Sequence, residues 1–201
     1  MTTELDRTIF LALFGGEQPG LALHLMVALT VIGRGYILWA IAALALVPAR
    51  WMRPFPRFTP RAQRIAREML MVLITVTILV YVGKAIVQRP RPYLELHLIP
   101  LGGHAPRDFS FPSGHAAGAF GFASFLCARL RPRASVATAL LLFAFGIGLS
   151  RIYLGAHFPT DVLAGALLGS TAGGIAGHRL RAREATELER AQLAKPPLGE
   201  A

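Results

Sequence analysis

His157 and Asp161 stand four residues apart in this 201-residue chain, a spacing that puts both side chains on one face of a helical turn. A carboxylate bonded to one imidazole nitrogen fixes the tautomer and raises the basicity of the other nitrogen. That is the condition for a histidine to attack phosphorus. Such an attack needs an acid to protonate the departing oxygen, and His115 is the available candidate. Water would then clear the phosphohistidine, with His115 acting in reverse as the base. A purely structural hydrogen-bonded pair is the alternative use of His157 and Asp161.

Two further clusters supply what a phosphoryl group requires. Lys84 with Arg91-Pro92, and Arg151 after Ser150, bring three cations, and guanidinium forks match phosphate oxygens in pairs. Pro112-Ser113-Gly114-His115 reads as the opening of a helix, where free backbone N–H groups and the positive end of the dipole favour an anion. Ser113 suits an N-cap, and Gly114, lacking a Cβ, lets the backbone approach a ligand closely. Singly, Lys84 reads as well as a snorkelling lysine, and Arg91-Pro92 as a loop dipeptide. Their conjunction is what specifies a phosphate cradle. These cations and N–H groups are enough to stabilise the equatorial oxygens of a phosphoryl transition state, so no metal and no cofactor are expected. The nearby acids other than Asp161, namely Asp108 and Glu95, do not make a magnesium cluster.

The elements that carry these residues read as membrane spans. Hydrophobic residues make up 54% of the chain and charged residues 16%, against about 25% charged in an average soluble domain. With a mean hydropathy of +0.50, this excludes a disordered chain, a coiled coil and an ordinary cytosolic enzyme. The 21 basic and 11 acidic residues leave a net charge of +10, which on a soluble protein would suggest nucleic acid. Here the charges gather between apolar runs, so positive-inside topology explains them and no nucleic-acid partner is expected. A span needs about 20 mostly apolar residues. Runs 21–47 (weakened near Gly33-Arg34-Gly35), 69–87, 113–128, 134–149 and 161–177 qualify. Segment 4–14 is too short and mixes Asp6 and Arg7 with apolar residues, which suits an interfacial helix. The expected fold is therefore all-α: a multi-pass transmembrane helical bundle of five spans in one domain, 1–201. Six spans is the alternative, if 4–33 contributes a separate crossing.

Fourteen of the 21 Lys and Arg residues fall between runs one and two, between runs three and four, or after run five. Alternation puts all of them on one side, the expected cytoplasm. The polar tail 182–201 is expected there too, and to fray. Arg7, Arg34, Lys84, Arg89, Arg91, Arg107 and Arg151 lie on or near the other side, against the rule, which suggests a task for them. No span separates Lys84/Arg91 from Ser113–His115, and two separate that cluster from Arg151/His157/Asp161. The even count puts all three clusters on one face, able to form one site. Cys127 reads as a small hydrophobe at lipid depth and His24 as a buried hydrogen-bonded side chain. His97 and His104 belong to a loop, and His178 sits among arginines. Gly165, Gly169, Gly173 and Gly177 continue the His157/Asp161 face at four-residue intervals, a spacing that suits close helix packing within the chain, or a dimer seam as the alternative. The N-terminus, Met-Thr-Thr-Glu-Leu-Asp, lacks the basic start of a cleaved signal peptide.

The three clusters resemble the signature of the type 2 phosphatidic acid phosphatase superfamily, the lipid phosphate phosphatases: Lys-x6-Arg-Pro, then Pro-Ser-Gly-His, then Ser-Arg-x5-His-x3-Asp. Lys84 with Arg91-Pro92, Pro112 to His115, and Ser150-Arg151 with His157 and Asp161 match every fixed position in order and spacing. The resemblance spans residues 84–161 and implies phosphate binding by Lys84, Arg91, Ser113, Gly114 and Arg151. It also implies His115 as acid, and His157 as nucleophile supported by Asp161. It further implies a metal-free enzyme of the inner cell membrane, its site on the outer or periplasmic face. The substrate would be a membrane lipid: undecaprenyl diphosphate first, phosphatidylglycerol phosphate or phosphatidic acid next. Many members are drawn with six spans rather than five, and some short undecaprenyl-diphosphate phosphatases carry Asp where this chain has Gly114. A phosphotransferase using the same intermediate, and a non-catalytic phospholipid-binding or transport protein, are the competing readings.

Overall fold

The computed structural model describes residues 3–16, 20–34, 39–40, 43, 59–103 and 105–193, and among them every regular element is helical. In chain order these are α1 (Glu4–Leu13), α2 (Leu21–Ile32), α3 (Pro60–Val87), α4 (Gly114–Leu130), α5 (Ala134–Tyr153) and α6 (Pro159–Leu193). A one-turn helix, Pro92–Glu95, and a 3-10 turn, Leu101–Gly103, lie in the loop between α3 and α4. The all-α expectation holds. The described helices long and apolar enough to cross a bilayer are α3, continuing into that loop, and α5, with α2 a shorter apolar helix.

Local chemistry sets the helix ends. The Thr59 hydroxyl accepts from Ala62 N at 3.2 Å and Pro60 opens α3, while Gln88 closes it in the left-handed region with φ 49°. Ser113 caps α4, accepting from Ala116 N. Pro159 opens α6, and the Asp161 carboxylate two residues on reaches back to Phe158 N at 2.8 Å, as the acidic half of a capping box does.

Apolar continuity located the runs better than their limits. Run 21–47 breaks at Gly33, which caps α2, and most of the rest of that run lies outside the described residues. The helix of run 69–87, α3, begins at Pro60 rather than 69, because the arginine-rich approach is itself helical. The tail expected to fray from 182 is instead helical to Leu193, and only 194–201 lie outside the described residues. Ion pairs hold that extension. Fully buried Arg129 at the end of α4 pairs with Glu68 of α3 (2.7 Å) and Glu184 of α6 (2.5 Å), while Arg64 reaches Glu187 at 3.1 Å. At 35 residues α6 is about 52 Å long, well beyond the ~30 Å hydrocarbon core of a bilayer.

Packing centres on α4 and α6. Gly165, Gly169, Gly173 and Gly177 are buried, and a Cβ on each would lie 2.4, 2.1, 2.2 and 2.7 Å from the carbonyl oxygens of Ser113, Ala117, Gly121 and Phe125. The glycine stripe is thus a seam within the chain, with backbone lying on backbone. Met69, Val72, Leu73, Val76 and Val80 of α3 close the core against Ala117 and Phe125. Outward faces are apolar: Ile78, Tyr81 and Ile86 on α3, Leu142 and Phe145 on α5, and Leu163 and Leu167 on α6 are exposed. α1 docks by Phe10, which stacks with Phe14 and packs on Phe158 at 5.4 Å, and it buries Asp6 while leaving Leu5 and Leu11 exposed.

Candidate active site

The C-terminal ends of α3 and α5 meet the N-terminal ends of α4 and α6 around a cavity of about 260 Å³. Lys84, Arg91, Gly114, His115, Arg151 and His157 line its polar end. Trp39, Leu73, Val76, Val80 and Tyr81 continue it as an apolar wall along α3. Two backbone hydrogen bonds lock the surrounding pieces together. Ser113 N donates to Asp161 O (2.9 Å), tying the starts of α4 and α6, and Ser110 N donates to Arg89 O (2.8 Å), tying the loop to the end of α3.

The three cations are deeply buried, and two of them share a carboxylate partner. Lys84 Nζ donates to Asp108 Oδ2 at 2.7 Å and also to the Phe109 carbonyl. Arg91 reaches Asp108 Oδ1 (2.6 Å), the Asp108 carbonyl (2.8 Å) and the Ala156 carbonyl (2.8 Å). One carboxylate therefore bridges two of the three cations that the sequence assigns to phosphate. Burial pushes the Asp108 carboxyl up, but the hydrogen bond from Lys84 and the charges of Arg91 and Lys84 outweigh it and hold it at about 2. Arg151 donates from Nη1 to Thr30 Oγ1 of α2 at 2.8 Å, and that hydroxyl also pairs with Ser150 Oγ at 2.9 Å. Among the described residues the Arg151 Nε has no hydrogen-bond partner, and the side chain is 1% exposed, beside the cavity.

Arg91 fixes the His157 tautomer. Its Nη1 lies 3.2 Å from His157 Nε2, and a guanidinium only donates, so Nε2 carries the lone pair and Nδ1 the proton. Burial, then the Arg91, Arg151 and Lys84 charges, push the imidazole well below its usual 6.5, with Asp108 opposing. The ring is therefore neutral. Nδ1 faces Asp161 Oδ2 at 3.6 Å, longer than the direct hydrogen bond the four-residue spacing suggests. The Ser110 hydroxyl stands alongside, 3.5 Å from Nδ1 and hydrogen-bonded to Asp161 Oδ2. Asp161 Oδ1 is occupied separately by Arg89 Nη1 at 2.6 Å.

All eight residues singled out from the sequence thus gather at one end of the bundle. Seven border the cavity or pair with its lining directly, and Ser113 acts as the cap and tether of α4. The sequence reading missed Ser110, Thr30 and the second sphere of Arg89 and Asp6. Arg89 did carry a signal, as a positive charge kept on the disfavoured side. His24 is hydrogen-bonded to Gly20 O (2.9 Å) but exposed rather than buried, because α2 presents it outward. His178 accepts from Arg181, and His104 lies outside the described residues.

An all-helical bundle whose helix ends bring three cations and two histidines to one cavity is equipped to bind a phosphoryl group and present a neutral imidazole to it. The chain belongs to the PAP2 superfamily, whose family model matches residues 65–183. It is 40% identical over 86 residues to the lipid A 4'-phosphatase of Bacteroides thetaiotaomicron, a match covering 41% of this chain and 38% of that relative's length. It is 28% identical over 190 residues to the undecaprenyl-diphosphatase of Sulfolobus acidocaldarius, covering 81% of each. The crystal structure of a transmembrane PAP2-type phosphatidylglycerolphosphate phosphatase from Bacillus subtilis superposes with a TM-score of 0.64 at 26% identity, covering 92% of this chain and 86% of that one.

Proposed function

We propose that this chain is an integral membrane phosphatase that removes the terminal phosphate of a lipid phosphate or diphosphate through a phosphohistidine on His157, without a metal. The observation that carries the reading is the single cavity in which Lys84, Arg91, Arg151, His115 and His157 border an apolar wall of α3. A charged head and an apolar tail each find a matching surface there. In the first step Nε2 of His157 attacks phosphorus, the P–N bond forms, and the P–O bond to the leaving group breaks. His115 protonates that oxygen, while Lys84, Arg91, Arg151 and the first N–H groups of α4 take the equatorial oxygens. Asp161 and Ser110 stabilise the Nδ1–H side of the ring as it becomes cationic. In the second step His115 accepts a proton from water, the water oxygen bonds phosphorus, and the P–N bond breaks to release inorganic phosphate.

Undecaprenyl diphosphate is the preferred substrate, supported by the match to the Sulfolobus undecaprenyl-diphosphatase over 81% of each chain, with phosphatidylglycerol phosphate and phosphatidic acid next. The exposed apolar faces and the Arg-rich ends support a single domain of five spans in the inner membrane, with the site on the outer face.

The test is phosphate release by detergent-solubilised protein in EDTA with these three lipids, and His157→Ala as control. Release that survives EDTA and falls by at least about a thousandfold in the variant is expected. Release that requires a metal, or that persists in His157→Ala, overturns the mechanism. An absence of release from all three lipids would favour a phosphotransferase lacking its acceptor, or a binding protein.

A further inference from the structure

Behind Asp161, a chain of buried charges leads away from the cavity to the first helix of the protein. Arg89, 8% exposed, donates from Nη1 to Asp161 Oδ1 and from Nη2 to Asp6 Oδ2, both at 2.6 Å. Its guanidinium carbon lies 4.2 Å above the Phe158 ring, which fixes its plane. Asp6, 3% exposed, also accepts from Thr160 N (3.0 Å) and Thr160 Oγ1 (2.6 Å), at the opening turn of α6. Asp6 is thus the far anchor of the same turn that carries Asp161.

Three buried ionised groups are a poor way to gain stability alone, since apolar residues of similar volume commonly hold a fold as well or better. Their arrangement does something apolar residues could not. Arg89 faces two carboxylates at equal distance, 2.6 Å to Asp6 and 2.6 Å to Asp161, so its single positive charge is shared between them.

We propose that Asp6 is a positioning residue which, through Arg89, sets the orientation and effective charge of Asp161 beside His157, making α1 part of the catalytic assembly. This rests on the phosphohistidine reading above. Without the Asp6 charge, Arg89 confronts Asp161 uncompensated, and the imidazolium-like state of His157 loses support. The other charged and titratable groups around His157 stay in place: Lys84 from α3, Arg91 and Asp108 from the following loop, His115 from α4, Arg151 from α5 and Asp161 from α6.

The test compares the full-length parent with Asp6→Asn, Asp6→Glu and Asp6→Ala in detergent, reading the kcat/KM pH profile, thermal melting and the 15N NMR signals of the His157 ring. Those signals are assigned by their loss in His157→Gln. Asp6→Asn keeps the shape and removes the charge. It should lower kcat roughly tenfold and move the acid limb about one pH unit lower, the scale of one buried charge acting through an intermediate group. Asp6→Glu should restore the limb, and the ring signals should differ between parent and Asp6→Asn with no substrate present. A superimposable pH profile and unmoved ring signals, with only a lower melting temperature in Asp6→Asn and Asp6→Ala, would overturn the proposal and leave Asp6 as an anchor of α1. A parent that releases no phosphate would sink the phosphatase reading instead, and the ring signals would still decide the role of Asp6.

Discussion

Gly169 is the position where the bundle is least able to accept a methyl group. A Cβ there would lie 2.1 Å from the Ala117 carbonyl oxygen and 2.8 Å from Gly121 N, both backbone atoms of α4. Ordinary contact begins near 3.4 Å, so Gly169→Ala must force α4 and α6 apart by more than about 1 Å. No side chain can swing aside to absorb this. Overpacking a core costs about 1–3 kcal/mol, and a clash with backbone belongs at the top of that range. The displacement also reaches the site, because these two helices begin with Ser113–His115 and with Asp161, and a misplacement of about 1 Å costs on the order of a hundredfold in rate. Gly174, five residues along the same helix, has nothing within 4 Å of an added Cβ. Gly174→Ala should therefore be neutral, or stabilising by up to about 1 kcal/mol through helix propensity. Thermal melting and phosphate release of the two variants form the assay. The loss in Gly169→Ala should read as a melting point lower by roughly 2–4 °C per kcal/mol, with the drop in kcat alongside it. Parental melting and turnover in Gly169→Ala would refute the claim that the seam holds the two halves of the site in register.

Thr30→Val preserves shape but removes the acceptor of Arg151 Nη1. A hydrogen bond to a charged group contributes about 1.5–3 kcal/mol, so KM should rise by tenfold or more, and an unchanged KM would mean Arg151 needs no help from α2. Arg129→Ala removes the buried cation that Glu68 and Glu184 share, leaving them Arg64 at 3.3 Å and Arg61 at 3.5 Å. With those partners retained, the cost in thermal or denaturant unfolding should stay below the ~3–5 kcal/mol of an uncompensated buried charge, while KM stays parental because Arg129 stands at the opposite end of α4 from the cavity. Because burial and the nearby cations push His157 well below 6.5, the proposed nucleophile should stay neutral into mild acid, and the acid limb of kcat/KM should fall below pH 6.5. The same shift stabilises the fold fully above the unfolded-state value, and that contribution is lost as pH falls below it, which melting curves between pH 7 and pH 5 would show. Asp108→Asn removes the carboxylate bridging Lys84 and Arg91, so inorganic phosphate or vanadate should inhibit the variant at several-fold lower concentration than the parent.

The residues proposed to hold the phosphoryl group were legible in the sequence because their chemistry is carried by type and short spacing. Four residues separate His157 from Asp161, and a helix opens at Ser113. What supports them was hidden because it is assembled over long separations. Arg89 meets Asp161 from 72 residues away and Asp6 from 83, and Thr30 meets Arg151 from 121. No local pattern distinguishes Thr30 from any other hydroxyl in an apolar run. Ser110 is similar: a backbone bond to Arg89 and a hydroxyl bond to Asp161, 51 residues away, hold it beside His157. The extent of α6 beyond Gly177 was illegible for another reason. Composition there is polar, and helicity depends on partners such as Glu68 and Arg129 that lie on other helices.

The bridge made by Asp108 turns binding at this cavity into an ion exchange. A ligand arriving at Lys84 and Arg91 must displace a carboxylate already bonded to both at 2.7 and 2.6 Å, so affinity measures a difference between two anions. Asp108 offers one negative charge at any pH above about 2. A phosphodiester also offers one and gains nothing electrostatically from the trade. A terminal phosphate, whose second proton leaves near pH 6, brings about 1.5 to 2 charges at neutral pH. On the proposed function, this exchange would favour a lipid ending in a free phosphate over the phosphodiesters of the intact phospholipids around it.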